Sequence, residues 1–143
     1  MAEKAIDEQN HVLRFCPRNR TIREGNVVVG VHPTLFALRV DISETYLSAS
    51  FVEFFDGAPD EQIKAAADAT PLTVGKDDYF LKLNVGAVKA LGIKHKLPVK
   101  VTHVDNNKRN PAYAKIKGTP PDASHQWIAE MADAFGGNLI KAP

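Results

Sequence analysis

The stretch DASHQWIAEMADAFGG, residues 122 to 137, carries the strongest periodic signal in the chain and limits what the rest can be. Trp127, Ile128, Met131, Ala134 and Phe135 recur at helical spacing, Asp122 or Ser124 is placed to cap the start, and Gly136-Gly137 to stop it. A helix with so broad an apolar stripe has to lay it on a core, so these aromatics are expected to pack and not to surround a cofactor.

The surface for that stripe comes from strands. HVLRF (residues 11 to 15) alternates His11, Leu13 and Phe15 against Val12 and Arg14, and LPVKVTHV places Val99, Val101 and His103 on one face. VVVGVH and TLFALRV, parted by Pro33, read as two short strands or one strand broken at an edge. CPRNRTIREGN is a loop or hairpin, and LTVGKDDYFLKL a hairpin around Gly-Lys-Asp-Asp. Between these, Pro59-Asp60-Glu61 opens a helix over QIKAAADA that Thr70-Pro71 closes. Asn84 caps a further helix, VGAVKALG, with Gly92 as its C-terminal stop.

ETYLSASFVEFFDG, residues 44 to 57, is the ambiguous segment. As a strand neither of its faces is cleanly polar. As a helix it aligns Leu47, Phe51, Phe54, Phe55 and Ala58 in one stripe, with Ser48 as cap and Gly57 as stop. The pattern therefore predicts a short helix from Ser48 to Asp56, with Glu53 a solvated helix carboxylate.

With 143 residues there is room for one core. The expectation is an α+β fold: a single domain over residues 11–143, built on a mainly antiparallel sheet of about five to six strands and covered on one face by three to four helices, with residues 1–10 a flexible N-terminal tail.

Eighteen basic against 17 acidic side chains argue against a dedicated polyanion binder, so nucleic acid is not favoured as a partner. One cysteine, Cys16, excludes an internal disulfide and suits a reducing cytoplasm. MAEKAIDEQN lacks the apolar core of a signal peptide, and no run approaches the roughly 20 apolar residues of a membrane span. Phosphate-loop, dinucleotide, serine-elbow and zincin motifs are absent, and His11, His32, His95, His103 and His125 are scattered without metal-ligand spacing, so neither a metal nor a cofactor is expected.

Three places bear chemistry. Cys16 stands among Arg14, Arg18 and Arg20, which would lower its pKa if they lie close, although a half-buried inert thiol is the simpler reading. His103, on an apolar strand face, reads as a hydrogen-bonded core histidine. The long connection from Asp105 to Pro121 gathers Asn107, Arg109, Asn110 and Tyr113, a mixture suited to an anionic group or a protein surface.

HVLRFC, FALR, ETYLSASFVEFFDG, LNVGAVKALG and NNKRNPAYAKI together resemble a set of small bacterial proteins marked by a YLSxxxxE(aromatic)(aromatic) block and an NPAxAxI block, to which no activity is attached. The resemblance spans His11 to Phe135 and implies that the two blocks lie together in a site. Tyr113 departs from it, standing where that pattern has histidine.

Two functions are expected from this. The first is a non-enzymatic accessory or protein-interaction module of a bacterial cytoplasmic system, with a protein partner or homodimerisation through an apolar patch. The second is a small enzyme on a nucleotide or other phosphate-bearing ligand. There Arg14 grips the phosphate, Ser48 positions the sugar and Glu53 acts as base or stabilises positive charge, an order similar to ADP-ribosyltransferase-like enzymes. In those enzymes the serine sits on a strand, which conflicts with the helix expected here.

Overall fold

A computed structural model describes residues 3–143. Along them run β1 (Glu3–Ala5), β2 (His11–Cys16), β3 (Thr21–Glu24), β4 (Val27–Val31), β5 (Leu47–Phe51), α1 (Pro59–Ala69), β6 (Tyr79–Asn84), α2 (Val85–Lys94), β7 (Lys100–Val104), β8 (Tyr113–Lys117), α3 (Gln126–Phe135) and β9 (Leu139–Lys141). Seven strands form one sheet in the order β1-β7-β8-β5-β2-β6-β9, with every neighbouring pair antiparallel, and β3–β4 stands apart as a hairpin. The fold is α+β, with a sheet slightly larger than expected.

The additional strands are the edges, β1 and β9, each three residues long and too short to show a period. Within the expected tail, Glu3–Ala5 form an edge strand. Glu3 lies opposite Val104 and Ala5 opposite Thr102, and Ile6 is buried. The Glu3 carboxylate accepts from Thr102 Oγ1 at 2.8 Å and from Lys117, so charge partners hold the edge down.

Helices cover both faces rather than one. α2 and α3 pack with Val12, Cys16, Leu47, Ala49, Leu81, Leu83, Val101 and Ile116 in the larger core, where Trp127 meets Phe36 edge-on with centroids 6.4 Å apart. On the opposite face α1 buries Ile63 and Ala66 against Leu13, Val52 and Phe80.

The segment at residues 44–57 is a strand. β5 occupies Leu47–Phe51 and a 3-10 turn follows over Val52–Phe54, in place of the expected helix. The two faces of β5 differ: one is apolar and buried, and the other carries two serines, Ser50 buried and Ser48 exposed to a cleft. Leu47 and Ala49 enter the larger core, while Ser48 and Ser50 point to the other side and are hydrogen-bonded there by Tyr113 and Asn110.

Other local expectations change for equally local reasons. TLFALRV forms 3-10 turns at Pro33–Phe36 and Val40–Ile42, because Pro33 at the first turn position bends the chain so that Leu35 and Phe36 dip into the core. LTVGKDD adds no strand. Asp78 holds it as a loop by accepting from the Gly75 and Arg18 amides at 2.7 and 2.9 Å. α2 runs through Gly92 to Lys94, where the glycine serves close packing: a Cβ there would lie 2.8 Å from Val99. Asn84 caps α2 as expected, accepting from the Ala87 amide at 2.9 Å. α3 is capped instead by His125, whose Nδ1 accepts from the Trp127 amide at 3.1 Å.

Candidate functional site

Antiparallel partners normally stay in register until one strand ends, but β2 and β5 do not. They pair only at Val12–Phe51 and Leu13–Ser50, although β2 runs on to Cys16 and β5 begins at Leu47. On their outer sides both stay fully paired, β2 with β6 and β5 with β8, so the sheet forks between them. Arg14 fills the fork. Its Nη1 donates to the Ser48 carbonyl at 2.7 Å and its Nε to the Leu35 carbonyl at 2.8 Å. The guanidinium thereby satisfies the Ser48 carbonyl that the parted ladder leaves open and ties the fork to the Pro33–Phe36 turn.

The fork opens into a cleft of about 580 Å³. Strand alternation brings both faces of the sheet to it: Arg14 from one, and Leu13, Phe15, Ser48 and Tyr113 from the other. The 33–44 segment supplies Leu35, Ala37, Arg39 and Glu44, the residues after α1 supply Pro71 and Leu72, and the β7–β8 loop supplies Asn107, Arg109 and Asn110. The walls are largely apolar, with polar groups set among them, which is how small-molecule sites are built.

Asn110 makes the loop rigid. Its buried amide donates to Ser50 Oγ at 2.9 Å while its Oδ1 accepts from the Ala112 amide at 3.0 Å, and Asn107 Oδ1 accepts from the Arg109 and Asn110 amides. Arg109 reaches across to the Thr70 carbonyl at 3.4 Å. The Tyr113 hydroxyl bonds Ser48 Oγ at 2.8 Å and Tyr46 at 3.3 Å, and burial pushes its pKa up to about 12, so it acts as a neutral hydroxyl.

Charge in the cleft is unbalanced. Arg14, Arg20, Arg39 and Arg109 line it against one carboxylate, Glu44. Among the described residues no carboxylate lies within 4.0 Å of Arg14, Arg20 or Arg109. Part of Arg14 still opens to the cleft, yet its surroundings desolvate it enough to lower its pKa to about 10; Glu44 offsets part of this and Arg20 adds to it. It remains charged at neutral pH.

Six of the seven residues singled out from the sequence therefore share one cleft: Arg14, Ser48, Asn107, Arg109, Asn110 and Tyr113. Glu53 does not join them. Its carboxylate holds His11, accepting from the backbone N–H at 2.7 Å and contacting Nδ1 at 2.8 Å, and His11 projects from the face of β2 opposite to Arg14. Ser48 does stand on a strand, but the Arg, Ser, Glu set is not assembled.

Arg39 and Glu44 are site residues that sequence reasoning missed. They lie in turns without periodicity, and only the fork gives them a common target. Cys16 is buried, and that burial raises its thiol pKa to about 11 despite Arg14 and Arg20 nearby. His103 packs between Phe51 and Phe54, with Nε2 2.7 Å from the Pro111 carbonyl.

No family model matches the chain, and neither the curated proteins nor the solved structures contain a match to it. No helix among the described residues is long and apolar enough to cross a membrane, and no group of three metal-ligating side chains occurs among them.

Proposed function

We propose that this protein binds a small organic anion in the fork between β2 and β5. The observation that carries the reading is Arg14, held in a cleft by two backbone carbonyls with its charge desolvated, no carboxylate within 4.0 Å among the described residues, and Glu44 the one acid in the lining. A guanidinium in that setting is stabilised by a counter-ion, and here the ligand supplies it. Apolar walls then accept the body of the ligand, while Ser48, Tyr113 and Asn107 offer it polar contacts. The catalytic part of the nucleotide-enzyme reading loses its base with Glu53 elsewhere, so binding is the conclusion and turnover is not.

The test is thermal denaturation of the full chain at low ionic strength with a panel of organic carboxylates, sulfonates and phosphates. Ligand at about a hundred times its Kd stabilises a protein by about 2.7 kcal/mol, a rise of several degrees in Tm. We expect such a rise for members of the panel and its loss in Arg20→Gln. A flat response to every anion overturns the reading.

The interaction-module reading is supported by the β3–β4 hairpin, which exposes Ile22, Val27 and Val29 outside the main sheet. Light scattering of the wild type and Val29→Lys tests it. A dimer lost in the variant supports homo-association, and a monomer throughout overturns it.

A further inference from the structure

We infer that the ligand carries a doubly charged phosphoryl group on an aromatic body, a phosphomonoester and not a carboxylate. This rests on the anion-binding reading above and adds the chemical class. Arg39 already has acids to hand: Glu44 Oε1 accepts from its backbone N–H at 3.0 Å, and Asp41 lies 3.5 Å from its guanidinium. Arg14, Arg20 and Arg109 have none within 4.0 Å among the described residues. Arg14 and Arg20 both line the cleft, and the Arg20 charge helps to lower the Arg14 pKa while Glu44 opposes it, so two like charges face the same space. A monocarboxylate cancels one of them. A phosphomonoester brings close to two negative charges and three acceptor oxygens, which suits a cleft lined by Arg14, Arg20 and Arg109.

The rest of the cleft describes the body of the ligand. Phe15 and Phe80 both line it, with ring centroids 5.7 Å apart and planes inclined at 57°. Phe80 is itself buried and packs against Phe15, so the wall open to a flat ring is Phe15 with Pro71 and Leu72. A volume of about 580 Å³ lies inside the range of sites that enclose small organic ligands. Tyr113 and Ser48 line the same cleft and offer hydroxyl partners to the ligand.

Titration calorimetry of the full chain distinguishes the classes, using phenyl phosphate, benzoate, adenosine monophosphate, adenosine and inorganic phosphate as probes. Phenyl phosphate, adenosine monophosphate or both are expected to bind at least about tenfold tighter than benzoate, adenosine and inorganic phosphate. Arg20→Gln, whose side chain makes no hydrogen bond that the fold needs, is expected to remove most of that advantage. Benzoate binding as tightly as phenyl phosphate, or a preference unchanged in Arg20→Gln, overturns the phosphoryl inference and leaves the anion reading standing. If none of the charged probes binds, both fail.

Discussion

The Glu53 carboxylate closes on His11 at two points, the backbone N–H at 2.7 Å and Nδ1 at 2.8 Å, and so fastens the turn after β5 to the start of β2. The contact lies where the two strands are still paired and on the opposite face from Arg14. Glu53→Gln is expected to lower stability by about 1 kcal/mol, the pair being roughly one-third exposed. It is expected to leave affinity in the cleft unchanged. Urea denaturation and ligand titration of the same variant check the two halves, and a collapse of binding would put Glu53 back in the site.

Asn110 is buried and uses both ends of its amide, on Ser50 and on the Ala112 N–H. Asn110→Ala leaves two buried polar groups unpaired, for a loss of about 2–4 kcal/mol. Because the same residue shapes the loop that carries Arg109, ligand affinity is expected to fall with it. Asn110→Asp should recover part of the stability by keeping the acceptor for Ala112. Denaturation midpoints of the two variants, measured side by side, decide this.

Cys16 is shielded at the end of β2, with a thiol pKa near 11. At pH 8 it is protonated and inaccessible, so a thiol reagent is expected to label the native protein slower than the denatured chain by on the order of a hundredfold or more. Absorbance of the released thiolate from a disulfide reagent, with and without urea, measures the ratio. Equal rates would show that the β2 end opens freely.

Glu130 joins α3 to the end of α2, contacting Lys94 Nζ at 2.8 Å and His95 Nε2 at 2.5 Å. Lys94 first and His95 second hold its pKa below the ordinary 4.5. The folded state thus binds this proton less readily than the unfolded one. The stabilisation is present above about pH 4.5 and is lost as pH falls through the lowered value. Trp127, the one tryptophan, reports the transition by fluorescence. Glu130→Gln is expected to flatten the acid limb of a plot of Tm against pH, and an unaltered limb would remove Glu130 from acid sensitivity.

How far the fold was legible follows the reach of the forces involved. α1, α2 and α3, strands β2 and β7 and the Asn84 cap could be read because their causes are local: a period in apolar residues, a capping side chain, a proline at the first turn. β5 was misread because its alternation, Leu47 and Ala49 against Ser48 and Ser50, lasts only five residues of the 44–57 segment, while the phenylalanines at its end and beyond fit helical spacing. The edges β1 and β9 are defined by partners distant in sequence: Glu3 by Val104, and Leu139 by Leu81.

For the site, the sequence by itself determined which side chains carry charge and hydrogen-bonding capacity, and it pointed to Arg14, Ser48 and the Asn107 to Tyr113 loop. Only the tertiary structure decided that these meet and that Glu53 does not. The reason is the fork, where two strands part after Leu13–Ser50 and one guanidinium takes up the Ser48 carbonyl that this frees. That is a property of long-range register, and no local pattern in residues 11–16 or 47–51 contains it.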